Sequence, residues 1–185
     1  MIYADNAATT KISPAARDAM YSCMEGSWGN PSSLHTAGQQ AAEVLQDARQ
    51  RIAACIGASP EEITFTSGGS EADNQAIRSA AALGARCGKR HILSTAFEHH
   101  AVLHTLKRLA DEAFDIELLP VGQAGTVTAL QVADAIREDT ALVTIMYANN
   151  EIGSILPISE IGHICRQKGV LFHTDAVQAA GPLPI

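Results

Sequence analysis

Short apolar runs alternate with stretches of helical periodicity along most of the chain. The runs predicted as strands are residues 63–66, 91–94, 116–119, 141–148 and 170–175. Between them, apolar residues recur at a spacing of three and four, which predicts helices over residues 70–83, from 99 onward, 130–137 and 158–167. Strands separated by single helices need crossover connections and so pair in parallel. The predicted fold class is α/β, a mostly parallel sheet flanked by helices.

The N-terminal region does not follow this alternation. Ser13 followed by Pro14 is typical of the cap and first residue of a helix. A longer helix is predicted from His35, and Gly57 is placed to end it. We therefore divide the chain into an N-terminal helical arm and a partial α/β domain, residues 1–56 and residues 57–185.

Composition and charge narrow the classes of function. The 185 residues are 46% hydrophobic, and 13 basic against 20 acidic residues give a net charge of −7. An acidic balance argues against a nucleic-acid partner. No run approaches the roughly 20 apolar residues of a membrane span, and the N-terminus shows no signal-peptide pattern. We expect a cytoplasmic protein with neither a nucleic-acid nor a membrane partner.

The cysteines are widely spaced and form no C-x-x-C pair. They are Cys23, Cys55, Cys87 and Cys165. This spacing does not predict a zinc ribbon or a redox dithiol. We interpret all four as small, buried or half-buried hydrophobic residues.

Four polar clusters come directly after predicted strands, where ligands bind in parallel sheets. They are residues 67–70, 98–100, 149–151 and 175–178. In the first cluster, two glycines allow close backbone approach and a helix begins, a combination that suits a phosphate. The motif is neither G-x-G-x-x-G nor a Walker loop, which disfavours dinucleotides and nucleoside triphosphates. An ordinary Gly-Gly turn capped by Ser70 is the alternative.

The second cluster contains histidines at a predicted strand-to-helix junction. His99 could stack on an aromatic cofactor or transfer protons near neutral pH. His100 and His104 are four residues apart on a helix, so a metal site that also uses Glu98 or His173 is an alternative. Nothing in the spacing requires that site. We predict no metal and interpret His100 and His104 as solvated surface residues.

The fourth cluster places a carboxylate at the end of an apolar strand. An unpaired Asp175 there would be costly, so a cation should meet it. A protonated pyridine nitrogen would fit, because the carboxylate keeps the ring charged and the charged ring accepts electrons. Gln178 could reach the same ring. The Asn-Asn pair of the third cluster offers neutral hydrogen bonds to a ring hydroxyl or an oxyanion, and ordinary turn chemistry is its alternative. An arginine partner or simple solvation of Asp175 are the alternatives.

Together these motifs resemble the NifS/IscS-type cysteine desulfurases, in the class V aminotransferase branch of the fold-type I pyridoxal-phosphate (PLP) enzymes. The resemblance runs along essentially the whole chain. It is carried by residues 3–10 (YADNAATT), 29–33 (GNPSS), 65–71 (FTSGGSE), 98–99 (EH), 149–153 (NNEIG) and 173–178 (HTDAVQ). Each motif alone is weak, but the set in this order is specific. It implies the large PLP-binding domain of fold-type I enzymes.

The resemblance also implies a set of residues that bind PLP. They are Gly69, Ser70, His99, Asn150, Asp175 and Gln178. The first two would hold the phosphate, with serine where threonine is usual in the family. His99 would stack on the ring and take part in proton transfer, Asn150 and Gln178 would approach the ring hydroxyl, and Asp175 would pair with the pyridine nitrogen. His99 and Asp175 are therefore the candidate catalytic residues.

The implied reaction removes sulfur from L-cysteine and leaves L-alanine and an enzyme persulfide. In the family this persulfide feeds iron–sulfur cluster and thio-cofactor assembly through acceptor and scaffold proteins, and the enzyme is a homodimer. Another class V enzyme, such as a selenocysteine lyase, is an alternative. So is a non-catalytic natural truncation.

The resemblance covers only the N-terminal half of the family's pattern. The Ser-x-His-Lys segment with the Schiff-base lysine and the later nucleophilic cysteine have no counterpart among the lysines and cysteines present. We therefore expect no desulfurase turnover from the 185 residues alone. An incomplete sheet would expose an edge and apolar faces, so we also expect the isolated chain to associate or aggregate.

Overall fold

The computed structural model describes residues 2–184. They form two compact units, residues 2–65 and 66–184. The division predicted after residue 56 stays a prediction. The first unit contains two helices and a short 3-10 helix: α1 (Pro14–Gly26), α2 (Thr36–Ile56) and Pro60–Glu62. The second contains α3 (Gly69–Arg86), β1 (His91–Thr95), α4 (His100–Asp111), β2 (Asp115–Leu119), α5 (Ala129–Ala135), β3 (Thr140–Thr144), α6 (Ile158–Gln167) and β4 (Leu171–His173).

Local capping defines both helices of the first unit. The Ser13 hydroxyl accepts a hydrogen bond from the backbone N–H of Ala16, as expected of a cap before Pro14. At the start of α2, His35 Nδ1 accepts from the N–H of Gly38. Gly57 ends α2 with φ of 66°, a left-handed conformation that glycine adopts without a steric penalty. Both predicted helices are confirmed.

The strand predicted over residues 63–66 is wrong. These residues belong to no strand of the described sheet. Within the first unit, the Arg49 guanidinium donates to the Ile63 carbonyl and lies 4.9 Å from the centre of the Phe65 ring. An apolar run becomes a strand only where another strand accepts its backbone hydrogen bonds, and a helical arginine takes that place at Ile63.

The second unit is built on a parallel sheet with the strand order β2-β1-β3-β4. The central strands β1 and β3 are buried along their whole length, whereas β2 and β4 at the edges are partly exposed. The predicted α/β fold class is confirmed. The strands over 141–148 and 170–175 are shorter than predicted, because the sheet ladder ends at Thr144 and His173.

Helices cover both faces of the sheet. From β1 the chain moves outward to β2, then crosses back to β3 and continues in the opposite direction to β4. Crossovers of one hand place their helices on opposite faces when the direction of winding reverses. Accordingly α3 and α4 pack on Ile92 and Leu142, while α5 and α6 pack on Leu93 and Val143. No helix within residues 2–184 is long and apolar enough to cross a membrane.

Candidate cofactor site

The four polar clusters lie at the carboxyl edge of the sheet. The winding reverses between β1 and β3, and a crevice beyond such a reversal is where open α/β sheets bind ligands. The loops after β1, β3 and β4 all reach this edge. Helix α3, which packs on β3 and β4, begins beside them. The structure therefore brings the loops that carry the predicted site residues to one edge.

The start of α3 touches the turn that follows β4. A Cβ atom built on Gly69 would lie 2.8 Å from Cγ2 of Val177, closer than real Cβ atoms approach a neighbour. A larger residue at this position would therefore have to displace the Val177 side chain. From the sequence, either a phosphate ligand or an ordinary Gly-Gly turn explained this glycine. The same contact places the predicted phosphate cradle next to the turn that carries Asp175.

The first turn of α3 has no side-chain cap. Gly68 is the N-cap residue, so the alternative in which Ser70 caps the helix is wrong. Ser70 is exposed within the first turn. The Ser67 N–H and hydroxyl both donate to Glu71 Oε2, at 2.7 and 2.6 Å, and these bonds lower the pKa of Glu71. The Glu71 carboxylate is thereby held against Ser67, which precedes the helix. The N–H groups at the start of α3 therefore remain available to an anion.

Glu98, in the loop after β1, is a buried acid that joins two loops. It is 4% exposed and accepts a 2.5 Å hydrogen bond from the Thr95 hydroxyl. Its Oε1 and Oε2 lie 3.1 and 3.0 Å from the backbone N–H nitrogen of Met146, beyond β3. Burial raises the pKa of Glu98 to about 7, and repulsion from Asp175 and Asp73 adds to this against the opposing hydrogen bonds.

His99 is exposed and caps α4. Its Nδ1 accepts a 3.2 Å hydrogen bond from the backbone N–H of Ala101. The neutral ring in this arrangement carries its proton on Nε2, which leaves Nε2 for a ligand. The Glu98 carboxylate accepts a hydrogen bond from Met146 inside the protein, whereas His100 and His104 are exposed. Within residues 2–184 no group of three or more His, Cys, Asp or Glu side chains is placed to hold a metal ion.

The two asparagines after β3 have different surroundings. Asn149 is buried: its Nδ2 donates to the carbonyl of Phe97 at 3.1 Å, and its Oδ1 accepts from the N–H groups of Glu151 and Ile152. It therefore ties the loop after β3 to the loop after β1. Asn150 is half-buried and follows directly, so the hydrogen bonds of Asn149 fix its position in the loop.

Asp175 is buried at the end of the β4 chain segment. Its carbonyl accepts from the N–H of Tyr147, and its Oδ1 accepts from the N–H of Val177, each at 2.9 Å. None of the ion pairs formed within residues 2–184 includes Asp175, so the arginine alternative is not what the described residues form. The neighbouring Thr174 hydroxyl is buried without a hydrogen-bond partner among the described residues. Gln178 is half-buried in the same turn.

A buried pair that sequence reasoning missed lies between α3 and β4. Asp73 Oδ1 is 3.5 Å from Nε2 of His173, and His173 Nδ1 is 2.8 Å from the Thr144 hydroxyl. A signal was available in the sequence. Asp73 stands one turn before Ile77 on the apolar face of α3, and a charged residue on such a face needs a buried partner.

These observations define a doubly wound α/β protein whose polar loops gather at its winding reversal, where open α/β sheets bind ligands. The uncapped start of α3 meets the turn after β4, and that turn carries a buried carboxylate with no cationic partner among the described residues. Such an edge suits a ligand that carries both an anionic group and a cationic one.

Comparison with known proteins gives the family. The chain matches the aminotransferase class-V family over residues 2–185 and belongs to it. It is 50% identical over 184 residues to IscS 1 of Bacillus subtilis (strain 168), covering 100% of this chain and 48% of that protein. It is 46% identical to the cysteine desulfurase IscS of Methanosarcina thermophila, covering 100% of this chain and 45% of that protein.

A solved structure described as SspA in complex with cysteine superposes with a TM-score of 0.93 at 37% identity. The match covers 99% of this chain and 52% of SspA. The chain thus spans about half the length of the relatives it matches. The predicted resemblance to NifS/IscS-type cysteine desulfurases is confirmed at the level of the family.

Proposed function

We propose that this chain is the cofactor-binding part of a PLP-dependent cysteine desulfurase, which removes sulfur from L-cysteine and leaves L-alanine and an enzyme persulfide. The observation that carries the proposal is the placement of Asp175, buried without a cationic partner among the described residues, close to the uncapped start of α3. The likeness to proteins named cysteine desulfurases and to SspA, whose structure holds cysteine, supports this substrate.

The residues at this edge fit the parts of PLP. Gly69 and Ser70 would hold its phosphate with the N–H groups and hydroxyl of the first turn of α3. Asp175 would meet the pyridine nitrogen, which supplies the cation that a buried carboxylate needs. Asn150 and Gln178 would donate to the ring hydroxyl. When bound, PLP supplies an electron sink for a carbanion at the substrate.

The chain's own residues would orient the cofactor and move protons. Asp175 would keep the proton on the pyridine nitrogen. The Val177 N–H that donates to Asp175 Oδ1 holds that carboxylate in place. His99 has Nε2 available because Ala101 occupies Nδ1, so Nε2 is the atom that would give or take a proton at the substrate.

Two lysines and one cysteine of the second unit are placed where they do not match the remaining roles. Lys89 precedes β1 and Lys168 follows α6, where its Nζ donates to the Ala133 carbonyl, so both lie at the amino edge of the sheet. Cys165 is buried, and burial raises its pKa to about 11, which is unlike a nucleophilic thiol. We propose that the 185 residues alone do not turn over L-cysteine, and that sulfur-acceptor proteins and a homodimer belong to the whole enzyme. The cytoplasmic location stays a prediction.

The proposal is tested by titrating the chain with PLP and following the absorbance of the bound ring. Asp175→Asn should weaken binding by on the order of tenfold, because a charge pair worth about 1.4 kcal/mol is lost. Asp111→Asn, on an exposed aspartate at the far end of α4, is the matched control and should bind as the unaltered chain does. Equal affinity of the two variants would contradict the assignment of Asp175 to the pyridine nitrogen.

A further inference from the structure

Three carboxyl groups from separate parts of the chain gather near the carboxyl edge of the sheet. Glu98 follows β1, Asp73 belongs to α3 and Asp175 follows β4, and all three are buried. Asp73 and Asp175 both repel a negative charge on Glu98. Within residues 2–184, the ion pairs of this group are limited to His173 beside Asp73. Such a cluster needs either an additional cation or a bound proton, because three buried like charges are mutually destabilising.

Glu98 keeps its contacts whether or not it is charged. As a carboxylate it accepts from the Thr95 hydroxyl and from the Met146 N–H. As a neutral acid its O–H can donate to the same Thr95 oxygen while the other oxygen still accepts from Met146, because a hydroxyl both donates and accepts. The loops after β1 and β3 therefore stay joined in both states, and a proton can leave without rearranging the site.

The position of Glu98 couples it to the residues of the site. His99 follows it directly in the chain. The Met146 N–H that it binds lies in the loop after β3, four residues before Asn150. The titratable groups that face Glu98 are Asp73 from α3 and Asp175 from the turn after β4.

We propose that Glu98 is a positioning residue of the cofactor site: it joins the loops that carry His99 and Asn150, and it releases its proton when a cationic ring binds at Asp175. The charge of the ring offsets that of Asp175, which removes part of the repulsion on Glu98. This inference rests on the proposed function, since it requires a ligand that presents a cation to Asp175.

The test compares proton release during PLP binding between the unaltered chain and Glu98→Gln. Glutamine can make both hydrogen bonds but cannot titrate. Calorimetric titrations near pH 7, in two buffers of different ionisation enthalpy, give the number of protons released. We expect the unaltered chain to release up to about half a proton more than Glu98→Gln, because a group with a pKa near the solution pH is half protonated. Equal release by both would overturn the proposal.

Glu138→Gln, on an exposed glutamate between α5 and β3, is the matched control and should release protons as the unaltered chain does. If no PLP binds to the unaltered chain, the proposed function fails. The proton on Glu98 is then judged from ¹³C shifts of labelled glutamate carboxyls in the unaltered chain, which need neither PLP nor a variant. A midpoint near neutrality supports the proton on Glu98, and one near 4.5 overturns it.

Discussion

The two units of this chain bury their apolar residues to very different extents. No residue of α1 is buried, and only Gly38, Ala41 and Ala53 of α2 are. Trp28 is 77% exposed and Leu34 is 92% exposed. In the second unit, β1 and β3 are buried along their whole length between two apolar clusters. The helices of the first unit are therefore defined by local caps, whereas the second unit is defined by its core.

This difference indicates where each unit obtains its stability. Isolated helices are marginal in water without tertiary packing, and α1 and α2 bury little of their apolar surface. Exposed apolar residues in such numbers mark interaction surfaces or aggregation hazards. The association expected of the isolated chain stays a prediction. Most of the exposed large apolar residues that would drive it belong to the first unit, among them Tyr21, Met24 and Trp28.

The largest expected effect breaks the core of the second unit. Leu142→Ala truncates a buried side chain of β3 that packs against α3. This kind of truncation lowers the unfolding free energy by about 2–5 kcal/mol. The matched change in the first unit, Leu45→Ala, alters a residue that is 39% exposed and should cost less than about 1 kcal/mol. Denaturant unfolding of both variants measures the difference. Similar losses would mean that the first unit has a core of its own.

The next largest effect is a pH dependence of the unfolding free energy, which Glu98 gives to the second unit. The pKa of Glu98 is raised from 4.5 to about 7, so the folded state holds the proton more tightly than the unfolded state. This stabilisation is complete below pH 4.5 and is lost as the pH rises to about 7. At 1.36 kcal/mol per pKa unit the loss is about 3 kcal/mol.

Glu98→Gln removes this dependence. Plotted against pH from 4.5 to 8, the difference in unfolding free energy between Glu98→Gln and the unaltered chain should grow by about 3 kcal/mol in favour of the variant. Urea unfolding at several pH values measures it. A constant difference across this range would show that Glu98 has the same proton affinity in both states.

A smaller effect concerns the contact between α3 and the turn after β4. Gly69→Ala should destabilise the second unit by roughly 1–2 kcal/mol, because the new methyl group meets Val177. Val177→Ala in the same chain opens the space and should restore most of the loss. Thermal unfolding of the two single variants and the double variant measures the coupling. Additive effects would show that the two side chains do not compete for space.

The smallest effect tests the capping of the first unit. Ser13→Ala removes the hydroxyl that accepts from Ala16 and should cost about 1 kcal/mol of helix stability. Amide hydrogen exchange should therefore accelerate about fivefold within α1 and remain unchanged in β1 and β3. Faster exchange in the sheet as well would show that the two units unfold together.

Much of the fold follows from local patterns. The helix over 158–167 has the predicted bounds, and Gly57 ends α2 as expected. The strand prediction over 63–66 is wrong because an apolar run contains no information about whether a neighbouring strand exists to accept its hydrogen bonds. The Gly-Gly motif was placed correctly at a helix start, but its packing against Val177 depends on a residue far along the chain.

The sequence by itself determined the order of helices and strands, the helix caps and the clusters that follow the strands, because these depend on residues within a few positions of one another. The motifs in that order also determined the family. Only the tertiary structure showed the strand order, the hydrogen bond by which Asn149 joins two loops, the Asp73–His173 pair and the raised pKa of Glu98. Each of these depends on distance and burial between residues remote in the chain, and no local pattern contains that information.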